Sequence, residues 1–203
     1  MAHIYIYSPS GAVRDRAAFR RGVARLKGLG HEVEIDPDAL TSHQRFAGDD
    51  ATRLAAIGRA AASRADVALV ARGGYGMTRL LGELPYKALD KAVQRGTRFV
   101  GLSDFTALQT ALLARTGAVT WAGPLLGEDF GSEGEPDDIM LACFDDLIQG
   151  QGEGAGWRQP AARRAAERAH QEQAKPFTVR DAPLWGGNLS VLVSLLGTPY
   201  WPD

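Results

Sequence analysis

The chain has 203 residues, 45% of them hydrophobic and 23% charged, with a formal net charge of −1. This composition excludes a disordered chain, and the near-neutral balance gives no general attraction to nucleic acid or to an anionic membrane surface. The single cysteine, Cys143, excludes an internal disulfide and a shared thiolate metal site, and no apolar run approaches membrane-spanning length.

His3 to Tyr7 reads as a first strand, followed by the turn Ser8-Pro9-Ser10-Gly11 and an amphipathic helix over Arg14 to Leu29. No basic region or long apolar segment precedes that strand, so a cytoplasmic protein acting on a small polar ligand is expected. A short strand over His31 to Ile35, a polar loop over Asp36 to Gly48 and an alanine-rich helix over Asp49 to Ser63 continue the alternation. Asp66 to Ala71 is a β-branched strand ending in Arg72-Gly73-Gly74-Tyr75-Gly76. Helical stretches are predicted over Met77 to Leu84 and from Pro85 to Gln94. Phe99-Val100-Gly101-Leu102 then delivers Ser103 and Asp104 to a helical pattern in which Phe105, Leu108, Leu112 and Leu113 recur. Ala118 to Trp121 reads as a further strand and Asp137 to Ile148 as a helix in which Cys143 is a buried small hydrophobe.

Repeated strand–helix units of this length predict an α/β fold, a mostly parallel sheet covered by helices on both faces, with ligands at the carboxyl ends of the strands. The expected organisation is an N-terminal α/β domain over 1–149 and a linker over 150–175, including the charged, alanine-rich stretch Gln159 to Lys175. Residues 176–203 then read as the start of an incomplete C-terminal domain, with a strand beginning at Phe177 and an apolar helix over Leu189 to Leu196.

Two loops carry the candidate chemistry. A strand–turn–helix at Ser103 lifts a hydroxyl above the sheet beside the first helix amides, the geometry of a serine nucleophile. The same residues also fit a helix cap, with Asp104 complementing the helix dipole, and Phe105 stands where the hydrolase elbow carries glycine. The glycine loop Arg72 to Gly76 lacks both nucleotide fingerprints, yet its amides suit a phosphate or a developing oxyanion. If the two strands are neighbours, a Gly73 or Gly74 amide and the Asp104 amide converge on one oxygen, with Ser103 at the attacked carbon. Arg72 either holds an acidic group or braces the loop, and Asn188 either contacts a ligand or caps the helix after it. None of the four histidines has a carboxylate at a telling spacing; His43, in a loop, is the nearest to a base.

Several ordered motifs together resemble the serine L,D-carboxypeptidases, or muramoyltetrapeptide carboxypeptidases, a family that includes the microcin-immunity peptidases. They are Ser8-Pro9-Ser10-Gly11, Arg45-Phe46-Ala47-Gly48, Arg72-Gly73-Gly74-Tyr75-Gly76, Gly101 through Leu108, Gly123-Pro124, Leu184 through Leu189, and Gly197-Thr198-Pro199. The resemblance implies a flavodoxin-like three-layer α/β sandwich, a smaller C-terminal domain and a homodimer. It implies Ser103 as nucleophile, with the Asp104 amide and one amide of the Gly73-Gly74 pair as the oxyanion hole. It further implies that Arg72, Tyr75 and Asn188 face the substrate, and that no metal or other cofactor is needed. The reaction implied is release of terminal D-alanine from muropeptide tetrapeptides in cytoplasmic peptidoglycan recycling. In the family the triad glutamate and histidine lie at positions beyond Asp203, so this chain is expected to be inactive or nearly so by itself. Two alternatives stay open: a microcin-immunity-type peptidase, and a non-catalytic binding module of the same fold.

Overall fold

The computed structural model describes residues 1–151, 180 and 183–202. Five parallel strands form its sheet: β1 (His3–Tyr7), β2 (Glu32–Ile35), β3 (Val67–Val70), β4 (Arg98–Gly101) and β5 (Trp121–Ala122). Their order is β2-β1-β3-β4-β5, the doubly wound flavodoxin-like order, with its switch point between β1 and β3. The register Ile6↔Leu69 and Leu69↔Val100 aligns the three central strands, so their carboxyl ends emerge side by side.

Among the described residues the α-helices are α1 (Arg16–Gly28), α2 (Asp50–Ala62), α3 (Tyr86–Gln94), α4 (Thr106–Thr116), α5 (Asp138–Gln149) and α6 (Leu189–Leu195). Side-chain caps set several starts. Asp15 accepts hydrogen bonds from the Ala17 and Ala18 amides at 2.9 and 2.8 Å, and Asp49 and Asp137 each accept one at 2.8 Å, from Thr52 and Met140.

Strand side chains alternate between two cores. Ile4, Ile6, Val67, Leu69 and Val100 face one layer with Phe19 and Leu26 of α1 and Phe144 and Leu147 of α5. Tyr5, Tyr7, Ala68, Val70 and Phe99 face the other, with residues of α2, α3 and α4. Burial of each larger aliphatic side chain contributes roughly 1.5–3 kcal/mol, so the central strands are fixed from both faces.

Three expectations need correction, and one element was not foreseen. Met77 to Leu84 is not one helix: a 3₁₀ turn spans Met77–Leu80, and Pro85 disfavours helix at the residue before it. The last strand is displaced from Ala118–Trp121 to Trp121–Ala122, because the Thr116 hydroxyl holds the Ala118 amide at 3.1 Å in a turn off α4. Leu126–Phe130 forms a π-type turn that no local pattern announced. Cys143 is exposed, since α5 presents Met140, Phe144 and Leu147 to the core and Cys143 lies off that stripe.

The expected linker, apart from Gly150 and Gln151, lies outside the described residues, as do the expected strand at Phe177 and His170. In the later part, α6 packs on the helical face of the second core: Leu195 is buried there and Val191, Tyr200 and Trp201 lie against it.

Candidate functional site

Because β3 and β4 pair directly, the glycine loop after one and the serine turn after the other are neighbours. Ser103 opens a 3₁₀ turn, Ser103–Phe105, that runs into α4. Its φ is +63°, in the left-handed region, which costs a non-glycine residue about 1–2 kcal/mol. The turn is therefore sharper than a cap requires: the helix caps Asp15 and Asp49 have φ of −90° and −69°. Ser103 makes no side-chain cap hydrogen bond; Leu102 occupies the position before the turn. The strained turn leaves the Ser103 side chain half-buried between the two loops.

Gly73 lies directly against it. A β-carbon on Gly73 would stand 3.1 Å from Ser103 Cβ and 3.3 Å from Oγ, so any side chain there would crowd the hydroxyl. The Gly73 carbonyl accepts a 3.1 Å hydrogen bond from the Gly11 amide. In a trans peptide the following N–H points the opposite way, so the Gly74 amide faces away from the first loop. Among the described residues, the N–H groups of Gly73, Gly74 and Asp104 have no acceptor. Donors of this kind at a strand–helix turn can stabilise a developing oxyanion.

Asp104 is placed by another need. The residue is 5% exposed, and its carboxylate accepts a 2.9 Å hydrogen bond from the Met77 amide, tying the serine turn to the end of the glycine loop. It thus fastens the neighbouring loop as well as starting the helix.

A residue without a sequence signal holds the remaining loops. Arg53 of α2 is fully buried, and its Nη1 donates to the Pro9 carbonyl at 3.2 Å and the Gly76 carbonyl at 3.1 Å. Its Nη2 pairs with Asp50, and its guanidinium lies 4.8 Å from the Phe46 ring centroid. Gly76, at φ +112°, admits this approach: a β-carbon there would stand 2.5 Å from Phe46. An arginine inside an alanine-rich helix reads locally as solvated, and its partners 23 and 44 residues away are invisible to periodicity.

The other expected site residues are placed as follows. Arg72 braces the first loop through a 3.0 Å hydrogen bond from Nη1 to the Ala12 carbonyl. Tyr75 is 59% exposed and stacks on Phe46 at 6.2 Å between centroids. Asn188 caps α6 through its Oδ1, which accepts from the Val191 amide at 3.1 Å, while its own amide donates to Thr106 Oγ1 at 3.0 Å. It therefore adjoins the helix that follows Ser103, but its side-chain oxygen is committed to the cap.

None of the described histidines hydrogen-bonds to Ser103. His3 pairs with Glu34 at 3.1 Å and His31 Nδ1 faces the Ala2 amide at 3.3 Å, both at the amino-terminal edge of the sheet. Burial, then the nearby N-terminal charge, holds His31 below the usual histidine range. His43 lies in a backbone bridge with Phe46. Among the described residues no group of three or more histidine, cysteine or acidic side chains is arranged to hold a metal ion, and no helix is long and apolar enough to cross a membrane.

Comparisons with known proteins bear on the family and the fold. The chain is 30% identical over 184 residues to a Bacillus subtilis protein named "Probable murein peptide carboxypeptidase", covering 88% of this chain and 52% of that one. It is 37% identical over 148 residues to a carboxypeptidase-named protein of Streptomyces coelicolor, covering 70% and 47% respectively. The chain thus spans about half the length of these curated relatives. Among solved structures, the muramoyltetrapeptide carboxypeptidase from Oxalobacter formigenes superposes with a TM-score of 0.80 at 34% identity, covering 99% of this chain and 62% of that one. The microcin C7 self-immunity protein shares the fold, with a TM-score of 0.76 at 21% identity, covering 99% and 64%. The family model described as the LD-carboxypeptidase N-terminal domain matches residues 4–123, more than half of the chain and running from within β1 past the end of β5, and on that match the chain belongs to the LD-carboxypeptidase family.

Proposed function

We propose that this chain supplies the nucleophile of a serine L,D-carboxypeptidase that releases terminal D-alanine from muramoyl tetrapeptides. The observation that carries the reading is the left-handed turn at Ser103, which holds a hydroxyl against Gly73 at the carboxyl edge of the sheet. The relatives' names supply the substrate class. A base removes the proton from Ser103 Oγ, and Oγ attacks the carbonyl carbon of the bond to D-alanine. The carbonyl oxygen becomes an oxyanion held by the Asp104 amide and the amide of Gly73 or Gly74. Collapse breaks the C–N bond, the amine leaves with the proton from the base, and water hydrolyses the resulting ester to restore Ser103. Arg72, Tyr75 and Asn188 line the approach to this centre.

The base and its orienting carboxylate are assigned, as the family resemblance implies, to positions beyond Asp203. The setting proposed with this activity is peptidoglycan recycling in the cytoplasm, by a homodimer. The microcin-immunity alternative rests on shared fold alone, and the helix-cap role on which the binding-module alternative relied does not describe Ser103.

The test is D-alanine release from the muramoyl tetrapeptide, by this 203-residue chain and by a longer polypeptide that includes it. Release by the longer polypeptide that vanishes in Ser103→Ala with an unchanged thermal transition is the expected outcome. The 203-residue chain itself is expected to stay near background. Release that survives Ser103→Ala would sink the nucleophile assignment; robust release by the shorter chain would sink the placement of the base.

A further inference from the structure

Against the glycine loop after β3, a cavity of about 500 Å³ is lined by Arg14, Gln44, Arg45, Arg72, Gly74 and Tyr75. Its three arginines differ from Arg53, Arg59 and Arg79, whose charges are met by carboxylates. Arg59 pairs with Asp36 and Asp38, and Arg53 and Arg79 with Asp50. Arg25 is spent on the carbonyls of Phe130, Ser132 and Gly134. Among the described residues Arg14, Arg45 and Arg72 have no carboxylate partner. Arg72 uses one nitrogen on Ala12, and the Arg45 guanidinium rests 5.8 Å from the Tyr75 ring centroid. In a chain of net charge −1, three guanidinium groups lining one cavity create a local positive field that an incoming anion relieves. Their forked donors match the two oxygens of a carboxylate.

The position of the cavity selects which carboxylate. Its wall at Gly74 is one residue from Gly73, hence about 3.8 Å away along the backbone, and Gly73 stands against Ser103. In a peptide cleaved at its last bond, the free carboxylate carbon lies three bonds from the attacked carbonyl carbon, within about 4 Å. Side-chain carboxylates elsewhere in the substrate have no such fixed short separation. We infer that Arg14, Arg45 and Arg72 form the subsite for the free α-carboxylate of the leaving residue, and so restrict cleavage to the chain end. This inference rests on the proposed function and extends it to residues, Arg14 and Arg45, that specify where the peptide is cut.

Binding to the 203-residue chain tests it, using the tetrapeptide ending in D-alanine and the same peptide ending in D-alaninamide, measured by calorimetry. Arg14 and Arg45 are exposed, so their substitution leaves the core intact. The native chain should prefer the acid by roughly tenfold or more, as expected for charge-assisted hydrogen bonds, and the preference should shrink with added salt. In Arg14→Ala/Arg45→Ala the ratio should fall close to one. Arg45→Lys should retain part of it, and the remote Arg64→Gly all of it. Equal binding of acid and amide by the native chain, or a preference surviving the double substitution, overturns the subsite and leaves the proposed reaction standing. Failure of both peptides to bind overturns the substrate assignment, and the subsite with it.

Discussion

The loops after β3 and β4 both reach left-handed backbone, but with different residues. After β3 the positive φ values fall on Gly74 and Gly76, at +127° and +112°, where no side chain is strained. After β4 the same need falls on Ser103, which carries a β-carbon through it at φ +63°. Where only shape is required, glycine stands. Where the side chain is required as well, the turn tolerates strain. Arg64, at φ +58° just past α2, shows that strain alone does not mark a site, because it lies at a helix end away from the converging loops. What distinguishes Ser103 is strain together with Gly73 against its hydroxyl and unaccepted amides alongside.

This contrast can be broken most severely at the serine. Ser103→Gly should gain about 1 kcal/mol of stability by relieving the left-handed turn, while Ser103-dependent turnover in a catalytically complete polypeptide falls by roughly 10³-fold or more. A stability loss in urea titration, or retained turnover, would separate the strain from the chemistry. The reverse substitution on the glycine side, Gly76→Ala, forces a β-carbon toward Phe46 and Arg53 and should destabilise by about 2–4 kcal/mol. Denaturant midpoints measure it.

A third test lies at the end of β2, remote from both loops. Burial pushes the Asp36 carboxyl up, but hydrogen bonds from Arg59, Tyr5 and the Asp38 amide outweigh it and hold the group below the usual carboxylate range. The folded state therefore binds this proton less readily than the unfolded state. The associated stability is present above about pH 4 and is lost as pH falls through the lowered value. Asp36→Asn should cost about 1–3 kcal/mol at neutral pH and flatten part of the acid limb of the stability profile, as measured by thermal melts across pH. The smallest effect belongs to Arg64→Gly, which should stabilise by at most about 1 kcal/mol with turnover unchanged. If it instead impairs turnover, the division between shape-bearing and chemistry-bearing turns fails.

Much of this arrangement was legible in the residues. The strand His3–Tyr7 and the alternation of strands and helices follow from periodicity and turn chemistry, because those signals are local. That the glycine and serine strands are neighbours stands in the sequence only as a condition, since strand order is not a local property. The left-handed turn at Ser103 had no local signal, since serine is compatible with a simple cap and Phe105 replaces the glycine that an elbow pattern would show. Arg53 was hidden for the opposite reason: its helix looks amphipathic without it, and its partners on the Pro9 and Gly76 loops meet it only after the sheet has formed. Cys143 was misjudged because residue type predicts burial on average, whereas the face of α5 decides it in this helix.

The contacts of Arg53 have a dynamic consequence. One guanidinium spans the loop after β1, the loop after β3 and the first turn of α2, while the Gly11–Gly73 and Met77–Asp104 hydrogen bonds link those loops to each other and to the serine turn. No one of them can swing outward without breaking ties held by its neighbours. The segments surrounding the hydroxyl are thereby coupled into a single cooperative unit, whose rare opening exposes all of them to hydrogen exchange together.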